Sequence, residues 1–252
     1  MSLTTYLIVC PLIFLAGFVD AIAGGGGLIS LPAYMLAGLP AHNAIGTNKM
    51  SAFMGISTAT FRLSKAGQIP WKKVWIYMIC ALIGSASGAR LALLVPDRIF
   101  KIIMLFVIPA AAFYILFFKP TEQEKDPLPE KQMIFRASLI ALLTGIYDGF
   151  YGPGTGTFMI LLLTSVARYK LGESNGVTKA INLTSNVAAL AVYLVNGKVL
   201  FPLGIIAGFF NMAGSYIGIS FFKKKGSKIV TPLMLTVLAV FMVRLVYELF
   251  LQ

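Results

Sequence analysis

Residues 17–27 read Gly-Phe-Val-Asp-Ala-Ile-Ala-Gly-Gly-Gly-Gly, and residues 145–155 read Gly-Ile-Tyr-Asp-Gly-Phe-Tyr-Gly-Pro-Gly-Thr. In both stretches a Gly-x-x-Asp closes an apolar run, and a glycine-rich break follows. These two stretches are 128 residues apart. Further matches are 130 residues apart, and they pair Gly46 with Gly176, Lys49 with Lys179, Gly67 with Gly197, Gly84-Ser85 with Gly214-Ser215 and Gly88 with Gly218. So many matches at nearly the same separation indicate an internal duplication.

The duplication lies in a strongly apolar chain. Of the 252 residues, 58% are hydrophobic and only 12% are charged, whereas an ordinary soluble domain has roughly 25% charged residues. This composition excludes a water-soluble enzyme and predicts a polytopic, all-α membrane protein in contact with the lipid bilayer. Ten apolar segments are predicted, and those at 27–38 and 153–167 look short for a bilayer core of about 30 Å. The segments cover residues 4–20, 27–38, 44–63, 74–94, 98–118, 133–147, 153–167, 176–195, 199–222 and 229–251.

A polar, proline-containing linker divides the chain. We predict a first transmembrane repeat over 1–118, a cytoplasmic linker over 119–132 and a second repeat over 133–252. If the short segments do not cross the membrane, the repeats are parallel and the loop lysines and arginines number nine on each side. If they cross, the repeats of about five segments each are inverted, and fourteen basic residues face four. Only the second count satisfies the positive-inside rule, and it places both termini outside.

Asp20 and Asp148 are the first candidate functional residues. A charge inside a membrane costs about 2.5–3.5 kcal/mol on insertion scales, and a carboxylate is unfavourable at the partly negative end of a helix. We therefore expect each aspartate to pair with a cation or to accept a proton. The alternative is that they only cap amides of the following turn.

The glycine-rich breaks are candidate anion sites. Glycine allows a sharp break, and the first amides of the next helix carry partial positive charge. Broken helices directed at a midplane site are how inverted-repeat transporters bind anionic substrates. The alternative is close helix packing, to which we assign Gly84, Gly88, Gly214 and Gly218. The predicted anion-holding residues of the breaks are Gly26, Gly27, Gly154, Thr155 and Gly156.

Lys49 and Lys179 lie near the start of the third helix of each half. Lys179, Asn182 and Asn186 are spaced i, i+3 and i+7, which places them on one helical face that suits an oxyanion. The corresponding face of the first half is less polar. Alternatively, each lysine snorkels to the headgroups or neutralises the aspartate of its own half. The full predicted substrate-binding set around these helices is Thr47, Asn48, Lys49, Thr178, Lys179, Asn182 and Asn186.

These motifs resemble the TauE/SafE family of bacterial membrane proteins, also called the toluene-sulfonate uptake permease family. The resemblance is carried by residues 17–27, by Thr47-Asn48-Lys49, by residues 147–153 and by Asn182-Leu183-Thr184-Ser185-Asn186. It implies a transporter in the bacterial plasma membrane, and several members are associated with export or uptake of sulfite or organosulfonates. The second half departs from the four-glycine pattern at Pro153 and Thr155, so its break should offer one amide fewer and one hydroxyl more.

We therefore predict a proton-coupled secondary transporter, an exporter of a small oxyanion such as sulfite or an organosulfonate, that works by alternating access around a central site between the repeats. Asp20 and Asp148 would tune the lysines or carry the proton. We expect no enzyme activity, cofactor, metal site or nucleic-acid partner, and we predict a homodimer. A passive anion channel and an intramembrane aspartyl protease are the alternatives, although the protease's Gly-x-Gly-Asp motif is missing.

Overall fold

The structure is a computed structural model that describes residues 2–117 and 128–225, together with residues 239, 242, 243, 246 and 247. These parts of the chain are helical and contain no strand, which confirms the all-α class. The predicted segment 229–251 falls almost wholly outside the described residues. The helices are α1 (Leu3–Ala23), α2 (Gly27–Leu36), α3 (Ala41–Lys65), α4 (Trp71–Leu94), α5 (Asp97–Phe117), α6 (Glu130–Phe150), α7 (Thr155–Ser165), α8 (Leu171–Val195) and α9 (Phe201–Lys225).

Glycine conformation explains why the chain breaks after α1 and after α6. Gly24 has a φ of 75° and donates its amide to the Asp20 carbonyl over 2.9 Å, and the corresponding Gly152 has a φ of 93°. Other residues rarely adopt this left-handed conformation. The helices that follow, α2 and α7, have 10 and 11 residues, which at about 1.5 Å per residue is roughly half the thickness of a bilayer core.

Four of the described helices could cross a membrane by length and composition, namely α1, α4, α6 and Phe201–Phe221 of α9. The 25-residue helices α3 and α8 are longer, but they carry the buried polar residues of the candidate site. Helices that are apolar on most faces therefore surround two that are polar on one face.

The helix contacts occur in matching pairs between the repeats. α1 packs on α9 as α6 packs on α4, and α3 packs on α9 as α8 packs on α4. α3 and α8 pack on each other. Because α6, α8 and α9 are the second copies of α1, α3 and α4, the two halves interlock reciprocally.

The directions of α3 and α8 bear on how the repeats are related. Thr60, late in α3, donates to the carbonyl of Lys179, early in α8, over 3.2 Å. Gly46, early in α3, lies against Tyr193, late in α8. The two corresponding helices therefore run antiparallel, which is the course that an inverted repeat requires. This supports the predicted inversion, which stays a prediction with respect to the membrane.

Glycines allow the reciprocal helix pairs to approach closely. A Cβ added at Gly84 of α4 would lie 3.0 Å from the Ile146 amide of α6, and one at Gly214 of α9 would lie 2.9 Å from the Phe18 amide of α1. Ile146 and Phe18 are themselves counterparts in the duplication. These glycines therefore have the packing role assigned to them from the sequence.

Gly84→Ala and Gly214→Ala should each destabilise the protein, because the added methyl group meets backbone that cannot move aside. We expect a cost of about 1–3 kcal/mol, typical of overpacking, measured as a lower melting temperature in detergent. Gly172→Ala is the matched control, since Gly172 lies in the first turn of α8 and a Cβ there meets nothing within 4 Å, and it should leave the melting temperature nearly unchanged. Equal effects of the three variants would contradict the packing role.

Candidate functional site

Two buried ion pairs join the repeats at the centre of the molecule. Lys49 Nζ lies 2.8 Å from Asp148 Oδ2, and Lys179 Nζ lies 2.7 Å from Asp20 Oδ2. The lysine residues are 2% and 0% exposed, so neither snorkels to the headgroups. Each pairs with the aspartate of the opposite repeat, so the alternative that each neutralises the aspartate of its own half is wrong. The ion pairs therefore link α3 to α6 and α8 to α1.

Asp20 both pairs with a cation and accepts a hydrogen bond from an amide of the following turn. Oδ2 pairs with Lys179, whose ammonium also donates to the Asp20 carbonyl at the end of α1. Oδ1 accepts the amide of Gly26 over 3.4 Å. Lys179 thus neutralises the carboxylate and the partly negative helix end together, while the carboxylate fixes the start of the break.

Asp148 is held by a different set of donors. Its Oδ2 accepts Ser185 Oγ over 2.7 Å and Asn186 Nδ2 over 3.5 Å, in addition to the Lys49 ion pair. Ser85 of α4 donates in turn to the Ser185 carbonyl over 2.6 Å. The Asp148 carboxylate therefore contacts three donors, one from α3 and two from α8.

The two glycine-rich breaks cross each other beside these pairs. A Cβ at Gly24 would lie 2.6 Å from the carbonyl carbon of Gly156, and a Cβ at Gly27 would lie 2.9 Å from Pro153 Cα. Thr157, in the first turn of α7, donates to the carbonyl of Ala23 over 2.9 Å. The ends of α1 and α6 and the starts of α2 and α7 therefore meet at one place, where the backbones are too close for a side chain at Gly24, Gly27 or Gly156.

A small cavity lies at this crossing and receives side chains from both repeats. Its free volume is about 40 Å³, which is room for a few waters or one small anion. Nine predicted residues line it: Asp20, Gly26, Gly27, Asn48, Lys49, Asp148, Gly156, Asn182 and Asn186. Seven others complete the lining: Ala16, Gly24, Ser30, Ala52, Ile56, Gly152 and Asn211.

Five predicted residues do not line the cavity. Lys179 lies behind Asp20, to which it is bonded. Thr47 Oγ1 accepts the Leu200 amide over 3.1 Å, and Thr155 Oγ1 donates to the Gly152 carbonyl over 2.6 Å, so the extra hydroxyl of the second break serves the break itself. Gly154 is the N-cap of α7, and Thr178 is buried in α8.

The amides at the start of α2 are less available to an anion than the sequence indicates. Gly26 donates to Asp20, and Leu28 and Ile29 donate to the carbonyls of Gly25 and Gly26. In the second repeat, Thr155 donates to the Gly152 carbonyl. The side chains around the cavity are therefore better placed than these amides to bind a substrate.

The cavity is chemically unequal on its two sides. Asn182 and Asn186 of α8 occupy the positions that Ala52 and Ile56 occupy in α3. Lys49 is the lysine that lines it, whereas its counterpart Lys179 does not. One ammonium group and several carboxamides suit an oxyanion, whose oxygens accept hydrogen bonds.

Asn211 of α9 is a lining residue that the sequence analysis missed. It is 5% exposed, and it fits between α1 and α3 because Gly17 and Gly55 leave room for it; a Cβ at Gly17 would lie 2.7 Å from its Oδ1. Its copy in the first repeat is Ala81, so the duplication gave no sign of it. The signal that was available is a carboxamide in the middle of an apolar helix.

Comparison with known proteins is consistent with this architecture. The family model described as sulfite exporter TauE/SafE matches residues 9–245. A protein of Sinorhizobium sp. described as probable membrane transporter protein ORF9 is 35% identical over 93% of this chain and 90% of its own length. Probable membrane transporter proteins of Haemophilus influenzae (32%, over 93% and 92%) and Escherichia coli K12 (YfcA, 31%, over 93% and 87%) are similar. No solved structure matches the chain. The chain therefore belongs to the TauE/SafE family of membrane transporters.

Proposed function

We propose that the protein is a proton-coupled secondary transporter that exports a small oxyanion, with sulfite or an organosulfonate as the substrate. The observation that carries the proposal is the position of Lys49 in a central cavity, between the two repeats and beside Asn48, Asn182, Asn186 and Asn211. The sulfur oxyanion is taken from the description of the matching family model.

Charge balance supports coupling to a proton. Lys49 is already neutralised by Asp148, so an anion that binds Lys49 leaves an uncompensated carboxylate in the site. Such a buried charge is unfavourable unless it is paired or protonated. Binding of one anion together with one proton on Asp148 keeps the cavity neutral, and Asp148 is therefore the residue that we assign to coupling. The anion and the proton then cross in the same direction, and export occurs when the outward gradient of the anion exceeds the inward gradient of the proton.

Alternating access is supported by the way in which the repeats interlock. The cavity lies where the two copies meet, and each buried ion pair has one member in each copy. Rocking of one repeat against the other would move the two halves of the site relative to each other. We propose that this motion exposes the cavity to each side of the bacterial plasma membrane in turn, with both termini outside.

The channel and the protease are less well supported. An aspartyl protease needs two carboxylates that share a proton, whereas Asp20 and Asp148 are each paired with a lysine. An open anion channel would need a continuous water-filled path through the molecule, whereas the cavity has a free volume of about 40 Å³.

A transport assay in proteoliposomes tests the function. Sulfite, thiosulfate, methanesulfonate and acetate are compared with and without a pH gradient, with protein-free liposomes as the control. We expect a sulfur oxyanion to accumulate inside the liposomes above its external concentration only when the outside is made more acidic, because the proton then drives the anion inward through the same coupled site. Equilibration without accumulation would indicate a channel, and transport of none of the anions would contradict the proposal.

A further inference from the structure

A stripe of polar side chains on α8 extends beyond the central cavity. Asn175, Thr178, Asn182 and Asn186 are spaced i, i+3, i+7 and i+11, which places them on one face of the helix. Asn182 and Asn186 line the cavity. Asn175 and Thr178 continue the same face toward the start of α8, one to two helical turns further on.

The two outer members of the stripe are buried without partners. Asn175 and Thr178 are 3% and 0% exposed. Both side-chain polar atoms of Asn175 and the hydroxyl of Thr178 have no hydrogen-bond partner within the part of the chain that the structure describes. A buried polar group left unpaired costs about 1–3 kcal/mol, so these side chains would be replaced by apolar ones if their role were packing.

The loop between α3 and α4, residues 66–70, lies across the start of this stripe. A Cβ at Gly176 would lie 2.9 Å from the carbonyl carbon of Gln68. Gln68 itself has a buried Oε1 without a partner among the described residues. In the other repeat the same contact recurs, because a Cβ at Gly46 would lie 3.0 Å from the carbonyl carbon of Lys198. Each repeat thus places a loop on a glycine of the opposite repeat.

The corresponding face of α3 differs. Ile45 stands where α8 has Asn175, whereas the copy of Thr178 is the polar Asn48. The glycine contact is repeated in both copies, and buried polar atoms without a partner among the described residues occur on Asn48 of α3 as well as on Asn175 and Thr178 of α8. Asn175 is the member of this set that has no polar counterpart. A packing requirement common to both copies therefore does not explain Asn175.

We propose that Asn175 and Thr178 line the route by which the anion passes between the central cavity and the end of the molecule at which the α3–α4 loop lies, and that this loop closes the route through its contact with Gly176. The proposal rests on the proposed function, since it names the path to that site. Opening would require the loop to leave Gly176, so that water and the anion reach the unpaired amide and hydroxyl groups.

Thiol labelling tests the route. Thr178→Cys is made in a protein that lacks the native thiols (Cys10→Ala, Cys80→Ala) and is treated in oriented membrane vesicles with the anionic, membrane-impermeant reagent methanethiosulfonate ethylsulfonate. We expect Thr178→Cys to be labelled from the side of the α3–α4 loop, at least tenfold faster than Val177→Cys. Val177 is the matched control, because it is a neighbour that is also 0% exposed but packs in an apolar cluster. Gly176→Ala, which holds the loop away, should accelerate labelling of Thr178→Cys further. Asn175→Cys provides a second reporter if Thr178→Cys does not fold.

The outcomes separate the route from the function. Labelling of neither reporter faster than Val177→Cys, in protein that still transports an anion in liposomes, would overturn the route and leave the function intact. Rapid labelling of Thr178→Cys, together with an unmodified protein that transports none of the tested anions, would support a hydrated path and overturn the proposed function.

Discussion

Replacing Lys179 with Gln should strongly destabilise the protein. Lys179 is fully buried and neutralises both the carboxylate and the carbonyl of Asp20, so its loss leaves a buried negative charge at a helix end. Removing one partner of a buried ion pair costs about 3–5 kcal/mol. We expect a markedly lower melting temperature in detergent and reduced yield from membranes.

Adding Asp20→Asn to Lys179→Gln removes the charge that the first substitution leaves unpaired. In the double variant Lys179→Gln/Asp20→Asn no charge is left unpaired, and the Asn side chain can still accept the Gly26 amide. Most of the lost stability should return, which a double-mutant cycle measures as a coupling energy. Independent, additive losses from the two substitutions would show that the ion pair is not what holds α8 to α1.

Replacing Lys49 with Gln should abolish anion binding, because Lys49 is the lysine that lines the cavity. The single variant also leaves Asp148 without its cation, although Ser185 and Asn186 still donate to it. The double variant Lys49→Gln/Asp148→Asn should therefore fold well and still fail to bind or transport the anion. We expect at least a tenfold loss of affinity, which corresponds to about 1.4 kcal/mol.

Lys72→Gln is the control for a general loss of positive charge, since Lys72 is exposed at the start of α4. It should bind and transport like the unmodified protein. Recovery of transport in Lys49→Gln/Asp148→Asn would contradict the assignment of Lys49 to the substrate.

The sequence was sufficient to identify both glycine-rich breaks and the four charged residues beside them. Each occurs twice at a fixed spacing, and a repeated charge in an apolar segment stands out from its surroundings. The helix starts were less well predicted. α8 begins at Leu171 and not at 176, and α6 begins at Glu130, inside the predicted linker, because polar first turns interrupt the apolar pattern from which the segments were defined.

The pairing of the charges could not be predicted from either copy. Whether Lys49 meets Asp20 or Asp148 depends on how the repeats pack against each other, and neighbouring residues within one repeat carry no record of that. The same holds for the inequality of the two lysines: Lys49 and Lys179 have equivalent positions in the sequence, but only Lys49 lines the cavity within the described part of the chain. Asn211 was missed because its counterpart, Ala81, is apolar.

Sulfite binding to the two charge-neutral double variants, measured by isothermal titration calorimetry, separates the roles of the two lysines, of which Lys49 holds the substrate and Lys179 stabilises the fold. We expect Lys179→Gln/Asp20→Asn to bind sulfite within a fewfold of the unmodified protein and Lys49→Gln/Asp148→Asn to show no measurable binding. Equal loss of binding in both variants, or loss only in Lys179→Gln/Asp20→Asn, would contradict this assignment.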